Sequence, residues 1–208
     1  MKCILCEGST KDFWKSKKRK YVECIHCGCI QLLKEFYISK KAEEARYLAH
    51  NNDIENPGYQ NFVKPITSRV LKDFSTAKKG LDYGCGTGPV ASTLLEKEGY
   101  SIALYDPYFY PDAAVLNTEY DYIICCEVME HFYEPKREFR ELAARLNPGG
   151  KLYCKTQLYS EDINFDSWYY KNDRTHVIFY TKKSLEWIKD NLGFSGLEIH
   201  PDLIVFSK

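Results

Sequence analysis

The stretch LDYGCGTG, residues 81–88, places glycine at 84, 86 and 88 between a short apolar run and an amphipathic segment. It reads as a strand over 80–83 that turns sharply into a helix over 89–97. Gly84 and Gly86 let the main chain turn tightly and approach a ligand with no Cβ in the way. Pro89 suits the first helical turn, where its missing N–H is no loss. A strand, glycine loop and helix in this order belong to an open α/β sheet, which binds ligands beyond the carboxyl ends of its strands.

Downstream the alternation continues. Residues 101–105 read as a strand, and DYIICC, 121–126, is an unbroken apolar run of the kind buried on both faces. Residues 135–146 set Phe139, Leu142, Ala143 and Leu146 at helical spacing, and Asn147-Pro-Gly-Gly150 turns the chain into a strand at 151–156. Thr181 caps a helix that runs to Asn191 and ends at Gly193. Residues 196–200 and 203–207 form a hairpin around His200-Pro-Asp202. The predicted fold class is α/β: a Rossmann-like, doubly wound, mostly parallel sheet with an antiparallel C-terminal edge hairpin.

Ahead of this domain, Cys3-Ile-Leu-Cys6 and Cys24-Ile-His-Cys27 are separated by seventeen residues. Two such pairs have the spacing of a zinc ribbon, because each tight knuckle aims two sulfurs at one tetrahedral ion. Gly28 fits the left-handed turn after the second knuckle. Cys3, Cys6, Cys24 and Cys27 are the expected metal ligands, with His26 and Cys29 as alternatives and iron as the alternative to zinc. Four thiolates close the coordination sphere, so the metal would be structural and would stabilise a segment poor in apolar residues. Cys85, Cys125, Cys126 and Cys154 read as small core residues.

Which ligand the glycine loop takes follows from two acids. A dinucleotide site needs G-x-G-x-x-G and a helix N-terminus facing a pyrophosphate. Here Asp82 precedes the glycines and would repel a pyrophosphate but suit an ammonium group. Asp106, at the end of the second strand, can accept from both hydroxyls of a ribose. Ribose, an amino-acid end and no phosphate together describe S-adenosylmethionine. LDYGCGTG, YDPY, DYIICCEVMEHF and LNPGG, taken in order, resemble the class I S-adenosylmethionine-dependent methyltransferases over about residues 79–206.

The resemblance implies that Asp82, Gly84, Gly86 and Gly88 wrap the methionine moiety and that Asp106 holds the ribose. It also implies that Pro107 and Tyr108 shape the adenine side, and that Cys126, Glu127 and Val128 line the cofactor near its sulfonium. S-adenosylhomocysteine would be the product. One departure stands out: residues 107–120 leave only fourteen positions where the family fits a strand, a helix and an adenine-contacting acid. The third strand and its helix are expected to be shortened or absent, with Asp112 or the main chain taking over at adenine.

Residues 158–181, LYSEDINFDSWYYKNDRTHVIFYT, are dense in aromatic and polar groups and form the expected acceptor loop. The string W-Y-Y-K-N-D-x-T-H-V-x-F-Y-T resembles one in many bacterial class I members of unassigned substrate. His131 and His176 are the candidate catalytic residues, poised near neutral pH to take a proton from an attacking oxygen or nitrogen; each equally suits tying loops together. The transfer is an in-line displacement that depends mostly on positioning, so a base is needed only for an acceptor that keeps its proton.

The division expected is a zinc-ribbon-like module at 1–38, a helical linker or cap at 39–78, and the methyltransferase domain at 79–208. The linker reads as helices over 39–50 and 59–74, with a bend at Lys64-Pro65. Its Tyr47, His50, Asn51 and Tyr59 are placed either over the cofactor or in a solvated connector, and Arg46 toward water. Twenty-nine basic and 29 acidic residues cancel, which argues against a global field for nucleic acid, yet residues 1–41 carry ten Lys/Arg against four acids. A small-molecule acceptor is therefore expected, with RNA gripped by the basic run 15–20 as the alternative and a non-catalytic cofactor-binding regulator as the second. No segment reads as a membrane span or signal peptide, so a cytoplasmic protein with no membrane partner is expected; the oligomeric state is open.

Overall fold

The computed structural model describes residues 1–49 and 53–208; the expectations for His50 and Asn51 lie outside the described residues. The chain opens with strands β1 (Thr10–Lys15), β2 (Lys20–Cys24) and β3 (Ile30–Leu32), followed by helices α1 (Lys40–Leu48) and α2 (Pro57–Asp73). Ser39 caps α1 by accepting from Ala42 N, and Asn56 caps α2 by accepting from Gly58 N and Tyr59 N. α2 starts at Pro57, two residues earlier than expected, and continues through Pro65. The main sheet contains β4 (Lys79–Tyr83), then helix α3 (Val90–Lys97), β5 (Ser101–Tyr105) and β6 (Tyr120–Cys126). Helix α4 (Pro135–Ala144), β7 (Leu146–Lys155), β8 (Ile178–Phe179), α5 (Lys182–Asn191), β9 (Gly196–His200) and β10 (Leu203–Ser207) complete the chain.

Six strands form the main sheet in the order β5-β4-β6-β7-β10-β9. The first four are parallel, and β10 runs antiparallel to both β7 and β9. The terminal hairpin thus reaches inward, with β10 against β7 and β9 at the edge. Strand order reverses at β4, so its carboxyl end is the switch point where open α/β sheets bind ligands. Between β5 and β6 there is no strand among the described residues, only a single 3-10 helix, Ala113–Asn117. The Asn147-Pro-Gly-Gly150 turn lies inside β7 as an irregularity: Tyr120 faces Leu146 while Tyr122 faces Lys151.

A second sheet, β1-β2-β3-β8, joins the N-terminal strands to the chain just before α5. Ile30 pairs with Phe179 and Gln31 with Ile178. The join is apolar on both sides. Cys3, Leu5, Cys24, Cys27 and Cys29 share one buried cluster with Met129 and Tyr180, while Tyr21, Ile30 and Leu32 share another with Phe165, Trp168, Tyr170 and Phe179. The cysteine head and the segment 158–181, the expected acceptor loop, are therefore folded against each other. No helix among the described residues is long and apolar enough to cross a membrane.

Candidate active site

At the switch point lies a cavity of about 1640 Å³, and Asp82, Gly84, Gly86, Gly88, Asp106, Pro107, Glu127, His131 and His176 all line it. Seven were expected at the cofactor and two at the chemistry; the fold brings them to one space. Asp112 does not line it, since its carboxylate caps the 3-10 turn by accepting from Ala114 N at 2.9 Å.

The glycine loop has a local physical cause. Gly84 and Gly86 sit at φ of 79° and 66°, where only glycine is at ease. A Cβ on Gly84 would stand 2.5 Å from a Val128 methyl, so the end of β4 is pressed against the turn after β6. Asp82 is buried and accepts from Ser92 Oγ at 2.6 Å; burial raises its pKa to about 6. Asp106 accepts from Gly86 N at 3.1 Å through one oxygen and from Tyr108 N and Phe109 N through the other. It ties the two cofactor loops together, and one lone pair on the first oxygen stays open for a hydroxyl.

Helix α1 roofs the cavity. Glu43, buried on its inner face, accepts from Tyr47 OH at 3.0 Å and Tyr108 OH at 3.1 Å. Three residues on, Arg46, its side chain about half exposed as expected, also donates to Asp173 Oδ2 at 2.7 and 3.1 Å. The linker thereby bridges the loop after β5 to the acceptor loop. Glu43 escaped the sequence reading because nothing in KKAEEARYL separates it from Glu44.

At the far end, His131 Nδ1 lies 3.1 Å from Thr175 O and His176 Nδ1 2.8 Å from Tyr170 O. A carbonyl only accepts, so Nδ1 carries the hydrogen in each neutral ring and Nε2 keeps its lone pair. Burial lowers both pKa values, His176 to about 3. Each ring holds a loop in place and suits accepting a hydrogen bond more than retaining a proton. Glu127 and Glu130 lie beside them, both raised above the usual carboxylate range, first by burial and for Glu127 then by the charge of Glu130. Glu130 has 0 % exposure and was missed as a functional group; the signal was a second acid three residues after Glu127 at the end of a buried strand.

The four expected cysteine sulfurs lie within 4.8 Å of one another. Cys3 and Cys27 are 3.7 Å apart and Cys6 and Cys24 3.3 Å, close to the edge of about 3.8 Å of a tetrahedron with 2.3 Å metal–sulfur bonds. Leu5 N and Cys6 N point at Cys3 Sγ, and Cys27 N at Cys24 Sγ, all at 3.4 Å, the donors a thiolate needs. The donor set fits a four-thiolate metal site. Cys29 Sγ lies 3.4 Å from Cys3 and 3.5 Å from Cys27 but is not one of the four gathered sulfurs. His26 is exposed and outside it.

Residues 57–199 match the family model described as a methyltransferase domain. The chain belongs to this family, and its domain is of the S-adenosylmethionine-dependent methyltransferase kind. A relative, the ubiquinone biosynthesis O-methyltransferase of Coxiella burnetii, is 27% identical over 145 residues, which is 56% of this chain and 62% of the relative. The chain thus spans about three fifths of the length of that curated relative. Among solved structures, a putative O-methyltransferase from Nostoc punctiforme superposes with a TM-score of 0.57 at 16% identity, covering 72% of this chain and 56% of the other. The Burkholderia thailandensis 1,6-didemethyltoxoflavin-N1-methyltransferase, solved with its substrate and S-adenosylhomocysteine, covers 95% of this chain and 99% of its own at TM-score 0.55 and 11% identity. At these identities the structures establish a shared fold.

Proposed function

We propose that the protein transfers the methyl group of S-adenosylmethionine to a small molecule bound beneath α1. The observation that carries this reading is the single cavity in which the glycine loop and Asp106 meet Tyr169, Tyr170 and His176 of the acceptor loop. In it, Asp82 answers the cofactor's ammonium, Gly84, Gly86 and Gly88 admit its methionine chain, and Asp106 takes a ribose hydroxyl. Pro107 borders adenine, and Glu127 faces the reacting end. His131 and His176 orient the acceptor through Nε2. Cys3, Cys6, Cys24 and Cys27 hold a structural zinc ion, whose role is to fix the fold of the ribbon. The division at 1–38, 39–78 and 79–208 is proposed for the ribbon, the roof and the catalytic domain.

Support for a small acceptor over RNA comes from how the basic ribbon is used. Arg19 donates to the Lys171 and Asn172 carbonyls, Lys20 pairs with Asp12 at 2.7 Å, and Lys11 with Glu23 at 3.0 Å. Within the run 15–20 this engages Arg19 and Lys20 with the protein's own loops and strands, while Lys15, Lys17 and Lys18 are exposed. Calorimetry with S-adenosylmethionine, then an assay for S-adenosylhomocysteine over a panel of phenols, enols and N–H heteroaromatics, tests the reading. Turnover on a panel member is the expected result; tight binding with no turnover would favour a regulator. RNA affinity that falls steeply with salt would favour the RNA alternative, since each phosphate neutralised on a single strand adds about 0.7 to the log–log slope.

A further inference from the structure

The reacting end of the cavity holds more carboxylate oxygens than donors. Tyr170 OH lies 3.0 Å from Glu127 Oε2 and 2.5 Å from Glu130 Oε1. Thr156 Oγ1, 3.0 Å from the same hydroxyl, and the Glu130 main-chain N–H also serve the Glu130 carboxyl, yet burial outweighs all three donors and raises its pKa. A phenol has one hydrogen to give, so it serves one carboxyl at a time. Glu130 Oε2 has no donor among the described residues and is shielded from water. Two ionised acids in this position would be a buried pair of like charges, which is strongly unfavourable. One extra proton resolves both the donor shortage and the repulsion.

We infer that Glu127 and Glu130, bridged by the Tyr170 hydroxyl, share one proton and that Glu127 is the general base of the methyl transfer, so the acceptor is a molecule whose attacking group keeps its proton at neutral pH, as a phenol O–H does. This rests on the methyltransferase reading above. Glu127 has the access: it lines the cavity, whereas Glu130 does not. Its backbone is held at φ 53°, rare outside glycine, and its N–H donates to Lys155 O at 2.8 Å, which fixes where the side chain leaves β6. Glu130 and Tyr170 are positioning residues that set the proton affinity of Glu127.

The groups facing the pair favour this assignment. From its own 3-10 turn comes His131, whose Nε2 is 3.9 Å from Glu130 Oε1, and from the acceptor loop His176 and Asp173. Both imidazoles are driven toward the neutral form by burial and are weak bases at neutral pH. Cys125 and Cys126 of β6, Tyr180 before α5 and Tyr59 of α2 add no positive charge, and Lys155 of β7 is turned to Asp202 and the Phe62 ring. In the step itself the acceptor's O–H proton passes to the ionised Glu127 carboxylate while the oxygen's electron pair forms the O–CH3 bond. The electron pair of the broken S–CH3 bond remains on sulfur as a neutral thioether. The pair, now with two protons, returns one to solvent.

The test needs no acceptor. Calorimetric titration of the full chain at about pH 7.5, in buffers of different ionisation enthalpy, counts protons released on binding S-adenosylmethionine and S-adenosylhomocysteine. The ligands share their ribose and amino-acid ends, and only the first brings a sulfonium charge. A unit positive charge about 6–8 Å from a carboxyl lowers its pKa by about 1.5–2 units at an effective dielectric of about 20. S-adenosylmethionine is therefore expected to release about half a proton more than S-adenosylhomocysteine. Glu127→Gln and Glu130→Gln should lose that excess, the proton counts being taken per mole of ligand bound so that a change in affinity does not enter. Tyr170→Phe, which keeps the ring, should move the excess to a different pH. Equal proton counts for the two ligands, or an excess that survives in Glu127→Gln, would overturn the pair alone; binding of neither ligand would overturn the methyltransferase reading along with it.

Discussion

Replacing Asp82 with asparagine should make the ligand-free protein more stable and the cofactor complex weaker. The carboxyl is 4 % exposed and its pKa is raised from 3.8 to about 6, mainly by burial, with Asp106 adding to the rise and Ser92 opposing it. A shift of about 2.2 units at about 1.36 kcal/mol each is about 3 kcal/mol of destabilisation carried by the ionised form. Below pH 3.8 both folded and unfolded chains hold the proton, and the residue costs nothing. Between 3.8 and about 6 the unfolded chain releases it first, so stability falls as pH rises; above about 6 both are ionised and the loss is constant. Asparagine keeps an acceptor for Ser92 and removes the charge. At pH 8 its Tm should exceed the native value by about 6–12 °C, at about 2–4 °C per kcal/mol for a chain of this size, and the gap should close toward pH 4. S-adenosylmethionine affinity should drop about 10- to 150-fold, the worth of one charge-assisted hydrogen bond. Differential scanning calorimetry from pH 4 to 8 and titration calorimetry read both. A gap that does not vary with pH, or an unchanged affinity, would refute the reasoning.

Gly84→Ala should cost about 2–5 kcal/mol in urea unfolding, because it adds a left-handed alanine to an overpacked contact with Val128. Gly149→Ala, also at positive φ but with nothing within 4 Å of the added Cβ, should cost only about 1–2 kcal/mol; equal losses would remove the steric argument. Cys27→Ser or a strong chelator should release one zinc per chain, measured by elemental analysis, and shift the fluorescence of Trp14 and Trp168, which pack at the ribbon–loop junction. Metal loss with unchanged emission would separate the ribbon from the acceptor loop.

The main sheet was legible because its signals are local: an apolar run in DYIICC, a glycine loop, and a Thr181 capping box that the structure completes with Ser184. The gathering of Cys3, Cys6, Cys24 and Cys27 was legible for the same reason, as two short spacings. What stayed hidden depends on distant partners. β8 is two residues long, and nothing in Ile178-Phe179 announces that it pairs with Ile30 and Gln31. The role of Glu130 required knowing that Tyr170, forty residues away, reaches its carboxyl. Arg46 is exposed as expected, but its pairing with Asp173 was not legible because that acid lies 127 residues downstream. Sequence spacing reports turns, caps and faces; it is silent about which two faces meet.

The shortened 107–120 segment and the linker helix are two parts of one solution. Removing a strand and helix beside β5 exposes the flank of the cofactor cavity, and a large apolar opening is unfavourable unless something covers it. α1 supplies the cover, and it is anchored from both sides: Glu43 by Tyr108 of the shortened segment, and Arg46 by Asp173 of the acceptor loop. Because Glu43 is buried, its bonds to the two tyrosines matter more than the Arg46–Asp173 pair, whose arginine is half exposed and which should contribute about 1 kcal/mol or less. Glu43→Ala should therefore raise the dissociation rate of S-adenosylhomocysteine, measured by stopped-flow, at least fivefold more than Arg46→Ala does. The reverse order would place the anchor of the roof on the acceptor side.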